Sequence, residues 1–150
     1  MIEDLLNLAE ELSRREQGRP KQVSLRRSVA TAYYAIFHAL TKLCADQLVG
    51  ATKPWLAYTP IYRMLDHGAA RRVFERVRRD SDAELARIGL FFVTLHEART
   101  IADYSPEPFP LSRQDVCDIV QESRDIVRTI DLLPSSTKLL LAVQLIAKTR

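Results

Sequence analysis

A chain of 150 residues that is 47% hydrophobic suits one domain with a packed core. Only 4 glycines argue against a β-rich fold and against a glycine-rich phosphate loop, and 22 Lys+Arg against 19 Asp+Glu leave a net charge of +3, which permits nucleic-acid binding without arguing for it. No apolar run approaches a membrane span, nothing at the N-terminus resembles a signal peptide, and Cys44 and Cys117 show no metal-ligand or CxxC spacing, so the expectation is a cytoplasmic protein with reduced, buried thiols and no membrane association.

Ile2, Leu5, Leu6, Leu8, Ala9 and Leu12 recur at helical spacing and predict a first amphipathic helix, ended by the polar stretch SRREQGRP. A long second helix is predicted from Pro20, which suits a first turn, to Leu48. Leu25, Val29, Ala32, Ile36, Ala39, Leu40 and Leu43 make its stripe, and Ala30, Tyr33, Tyr34, Phe37 and Thr41 widen it, which places this helix at the centre of a bundle. VGATKPWLAYTP reads as a loop; Thr59-Pro60 then caps and opens a short helix from Ile61 to near Asp66, broken by His67-Gly68. The helical pattern resumes over Ala69 to Arg79, with Val73, Phe74 and Val77 inward. Arg71, Arg72, Arg76, Arg78 and Arg79, with Arg63 upstream, make this stretch basic; it reads as a solvated face partly paired with Glu75, Asp80 and Asp82, with phosphate binding as the alternative.

SDAE, Ser81 to Glu84, is a capping box for a helix striped by Leu85, Ile88, Phe92, Leu95, Ala98 and Ala102. That helix ends near Asp103 or Tyr104, because Pro106, Pro108 and Pro110 cannot continue it. Ser112 with Asp115 caps the next helix, which runs to near Asp131 on Val116, Ile119, Val120, Ser123, Ile126, Val127 and Ile130. Pro134-Ser135-Ser136 separates a last helix, Thr137 to Lys148, whose face is Leu139, Leu140, Val143 and Ile146 and which frays, docks on the body or packs on a partner. The chain is therefore predicted to be one all-α domain, a bundle of about four main antiparallel helices with short extra helices, residues 133–150 forming a C-terminal helical extension.

Two constellations stand out. AYYAIFHA, Ala32 to Ala39, is dense in aromatics and reads as central packing with tyrosine hydroxyls reaching the surface or a partner group. His38 reads as a satisfied helix histidine, and no metal-ligand spacing accompanies it, so neither a metal nor a cofactor is expected. In RTIADYSPEPF, Arg99 to Phe109, helical geometry puts His96, Arg99 and Asp103 on one face. Asp103 lies near a helix C-terminus, where the dipole favours cations, and the Arg99–Asp103 pair runs in the weaker order, cation first. Asp103 therefore calls for a tertiary partner, for which Arg26 or Arg27 on the second helix is expected.

RRSVATAYYAIFHAL (Arg26 to Leu40) and RTIADYSPEPF together resemble the HEPN-domain family, with YRMLDHGAARRVF and FFVTLHEAR between them in the expected order; the resemblance spans roughly residues 1–132. It implies a helical bundle that often pairs into a homodimer. It also implies one of three roles: a metal-independent ribonuclease of toxin–antitoxin or defence systems, a binder of RNA or nucleotides, or a structural or regulatory partner of a nucleotidyltransferase-type protein. In the ribonucleases an arginine is followed four to six residues later by histidine; here Arg99 fits the arginine, the fifth residue on is Tyr104, and no histidine follows. The site implied is Arg99, Asp103 and Tyr104 for chemistry, with Arg26, Arg27 and His96 for the nucleic acid or nucleotide, and RNA or nucleotide binding is the expected role.

Overall fold

The computed structural model describes residues 1–50 and 52–147. All regular structure among them is helical: α1 (Ile2–Ser13), α2 (Gln22–Leu48), α3 (Trp55–Tyr62), α4 (His67–Val77), α5 (Ala83–Tyr104), α6 (Arg113–Leu132) and α7 (Ser135–Ile146). The expectation of an all-α bundle is met.

α2 is the axis. α1, α3, α5, α6 and α7 all pack on it, which is why its sequence is apolar around most of its circumference. Every predicted stripe residue of α2, from Leu25 to Leu43, is buried. Residue pairing shows that α5 runs antiparallel to both α2 and α4: Arg26 meets Ala102 while Tyr34 meets Arg99, and Arg71 meets Glu97 while Phe74 meets Phe92. α1 is held across α6 by Arg124, which reaches Glu3, Asn7 and Glu10, and on α2 by Ser28 Oγ donating to the Ala9 carbonyl over 2.6 Å.

Cap chemistry corrects several predicted boundaries. α3 begins at Trp55, and Pro60 lies inside it rather than at its start. The carbonyl four residues back from Pro60 belongs to Leu56, which is 97% exposed, so water can take the hydrogen bond that proline cannot make. Ile61 to Asp66 is not a helix: α3 stops at Tyr62, and Asp66 is instead the N-cap of α4, its Oδ1 accepting from Ala69 N at 2.7 Å. His67-Gly68 thus opens a helix instead of breaking one. The box expected at Ser81 is replaced by Asp82, whose carboxylate takes both Glu84 N and Leu85 N, while the Ser112–Asp115 box forms as expected.

α7 docks on α2 and α4, but by a different face from the one predicted: Leu141, Ala142 and Leu145 are buried, whereas Leu139, Leu140 and Val143 are exposed. The predicted end at Lys148 lies outside the described residues. Of the cysteines, Cys44 is buried, its thiol pushed up to about 12 by desolvation, while Cys117 is half-buried and lies 3.4 Å from Ser13 Oγ.

Candidate functional site

Three helices bring one polar cluster together, each contributing side chains about a turn apart. α2 supplies Tyr33, Tyr34 and Phe37; the first turns of α4 supply His67 and Arg71; α5 supplies Phe92, His96, Arg99, Asp103 and Tyr104.

Arg99 is the centre. Its guanidinium carbon lies 5.4 Å from the Tyr33 ring, 5.7 Å from Tyr34 and 5.6 Å from Tyr104, so three aromatic faces surround one cation. Its Nη2 donates to Tyr34 Oη at 3.2 Å. Nε sits 2.8 Å from Asp103 Oδ2, yet its N–H is not aimed at any acceptor. The two side chains are only 12% and 19% exposed. Nη1 is neither buried nor, among the described residues, donating to a protein acceptor. Arg99 is thus held by Tyr34 and Asp103 with one nitrogen unspent, and the Tyr104 ring packed against it is itself 71% exposed.

The expected tertiary partner for Asp103 does not materialise, because Arg26 is used otherwise. Arg26 Nη1 donates to the carbonyls of Ile101, Ala102 and Ser105 at 3.1, 3.1 and 2.9 Å, Nη2 donates to Glu107, and the Phe109 ring lies 5.3 Å from the guanidinium. Ala102 O is one of the last-turn carbonyls that the helix leaves unpaired, Ile101 O also accepts from Ser105 N, and the Ser105 and Glu107 carbonyls follow the helix. Arg26 is therefore the cap of α5, and its positive charge offsets the dipole end that an acid at position 103 aggravates. Its forked donors are taken up by carbonyls and do not line a cleft. Arg27 is exposed and stands outside the cluster.

His96 is where its face predicts, near Arg99. Arg71 Nη1 lies 3.4 Å from its Nδ1, and since a guanidinium can only donate, Nδ1 is the acceptor and the neutral ring carries its proton on Nε2. Arg71 is braced by Glu75 at 3.0 Å and Glu97 at 2.9 Å, the one basic residue of α4 with such pairs among the described residues; Asp80 and Asp82 cap turns instead. His67 is the residue the sequence reading missed. Its Nδ1 is 2.7 Å from the hydroxyl of fully buried Tyr33, and its ring lies tilted against Phe37 with centroids 4.1 Å apart. The signal was D-x-x-A, an Asp N-cap three residues before Ala69, which puts His67 in a first helical turn.

Both imidazoles are held below their ordinary pKa, His67 by burial and then by Arg99, His96 by burial and then by Arg71 and Arg99. Burial likewise lowers His38, which is satisfied by Tyr62 Oη at 2.7 Å. Each folded value lies below the free value of 6.5, so the stability these rings contribute is fully present above that value and lost as pH falls below it. Melting temperature is expected to fall from about pH 7.5 to about pH 5.5, a window in which carboxylates stay ionised, and His67→Gln should flatten part of the fall. An unchanged melting temperature across that window would show that these rings are not held neutral.

Among the described residues no group of three or more His, Cys, Asp or Glu is placed to hold a metal ion, and no single helix is long and apolar enough to cross a membrane. No protein-family model, curated protein or solved structure matches the chain.

Proposed function

We propose that the chain binds RNA, holding a backbone phosphate at Arg99, in line with the HEPN-like resemblance of its second and fifth helices. The observation that carries this reading is the half-used guanidinium: Arg99 is held by Tyr34 and Asp103, while Nη1 is not fully buried and, among the described residues, donates to no protein acceptor. A phosphate oxygen suits Nη1, and Tyr34 and Tyr104 offer faces for unpaired bases. Pairing of two copies is part of the proposal, supported by the outer face of α5, where Leu90, Ile101 and Tyr104 are all exposed.

Ribonuclease activity is the second reading, and one observation favours it. The histidine absent after Arg99 in sequence is supplied in space by His67, which is disposed to be neutral at physiological pH; with its Nδ1–H donating to Tyr33 Oη, Nε2 is free to accept a 2′-hydroxyl proton while Arg99 steadies the phosphorane charge. A nucleotidyltransferase-type partner in a defence setting follows from the resemblance alone.

Arg99→Ala is expected to weaken binding of single-stranded RNA roughly tenfold and to reduce its salt dependence, measured by fluorescence anisotropy over a salt series. Incubation with RNA in EDTA tests cleavage: products from wild type but not from His67→Ala or Arg99→Ala would establish the second reading. Unchanged RNA affinity with a lowered melting temperature would reduce Arg99 to a clamp between α5 and α2.

A further inference from the structure

A separate concave site lies between α3, the middle of α2 and the start of α1. It is a cavity of about 580 Å³, within the range of roughly 300–1,000 Å³ typical of small-molecule sites. Its wall is a row of aromatics on one face of α3: Trp55 meets Tyr58 edge-on at 5.7 Å, and Tyr58 and Tyr62 are near-parallel at 6.1 Å.

The row is fixed from behind. Tyr58 Oη donates to Asp46 at 2.7 Å, and Tyr62 Oη is 2.7 Å from His38 Nδ1. With both hydroxyls tied inward, the rings keep their orientation without a ligand, which lowers the ordering cost of binding. Lys42, Lys53 and Arg63 also line the cavity, and no carboxylate does. Lys42 is paired with Asp46 at 2.6 Å, but Lys53 and Arg63 have no ion pair among the described residues. Lys53 holds a left-handed backbone, φ 49°, which disfavours a β-carbon, and its ammonium stands 5.6 Å over the Tyr58 ring.

Trp55 is 68% exposed at the mouth, an unusual position for the largest apolar side chain in the absence of something to cover it. Preset aromatic rings select a flat π-system, and two cations without a direct ion pair among the described residues select a negative charge attached to it. We propose that this groove binds a planar aromatic anion, the ring stacking on exposed Trp55 and half-buried Tyr62 with buried Tyr58 bracing both, and the anionic group meeting Lys53 and Arg63. A mononucleotide and an aromatic carboxylate share that chemistry. The site stands independently of RNA binding at Arg99, since no cluster residue lines it.

Trp55 is the one tryptophan in the chain, so its indole N–H gives a single NMR cross-peak that reports on the groove directly. Wild-type protein is titrated separately with AMP, 2-naphthoate, adenosine and inorganic phosphate. Saturable shifts with AMP, with naphthoate or with both are expected, the responding compound naming the source, while adenosine and phosphate bind at least about tenfold more weakly. Lys53→Ala/Arg63→Ala should weaken the responding anion roughly tenfold and leave adenosine unchanged, and Arg99→Ala should leave every titration unchanged. The proposal is overturned if neither anion shifts the peak at millimolar concentration, if adenosine matches AMP, or if Arg99→Ala abolishes the response, which would return the ligand to the tyrosine-lined cluster.

Discussion

Replacing Gly89 with alanine is expected to destabilise the protein by about 2 kcal/mol, opposite in sign to the usual effect of filling a mid-helix glycine. In an open helix the substitution would gain about 1 kcal/mol, because alanine is the better helix former. Here α5 meets the C-terminal end of α4 at this position. A β-carbon on Gly89 would stand 2.6 Å from the backbone nitrogen of Arg78 and 3.0 Å from both its α-carbon and the Phe74 carbonyl oxygen. All three are backbone atoms, so no rotamer change relieves the clash; α4 would have to move away. That movement would loosen the Phe74–Phe92 contact at 4.7 Å and the Arg71 bonds to His96 and Glu97, which fix α4 against α5 at the polar cluster. The measurement is a urea titration of both proteins. A higher midpoint for the alanine variant at unchanged slope would mean that α4 slides at no cost.

How far the sequence announces this depends on whether a feature is local to one helix or lies between two. Burial on α2, α4, α5 and α6 follows a 3.6-residue period, so Val29, Phe74, Phe92 and Ile126 were legible as core from spacing alone, and Ser112 with Asp115 spelled out its own cap. Gly89 was visible only as an unexplained glycine, since its reason is the backbone of Arg78 on another helix. α7 misled because its apolar residues are too many to define one face: Leu139, Leu140, Val143 and Ile146 make as good a stripe as Leu141, Ala142 and Leu145, and packing on α2 chooses between them. At the site, the shared face of His96, Arg99 and Asp103 was legible as an i, i+3, i+7 set. His67 was not, because an Asp followed by His-Gly suits a helix end as well as a helix start, and only the cap bond from Ala69 N to Asp66 decides between them. Arg26 was legible as important but not in its role, since the carbonyls it caps lie across the bundle at the end of α5.

That role gives the other large effect. Arg26→Ala is expected to cost about 2–3 kcal/mol, because one side chain donates charge-assisted hydrogen bonds to several α5 and post-helix carbonyls and no neighbouring residue replaces it. The loss should not reach the sum of the separate bonds, since these carbonyls lie partly at the surface and water can reclaim some of them. Arg26→Lys keeps a cation at the dipole end but not the planar fork that spans Ile101, Ala102, Ser105 and Glu107, so it should recover less than half of the loss. Denaturation midpoints of the three proteins check this, and equal midpoints would remove Arg26 from the cap. The same variants separate architecture from recognition. Under conditions where Arg26→Ala is folded, its RNA affinity should match that of wild type, because the unspent donor belongs to Arg99; Arg99→Ala should lose affinity with the fold intact. If the two substitutions weaken RNA binding alike, the phosphate instead spans both arginines, and the SPEPF segment that Arg26 now holds would have to open to admit it.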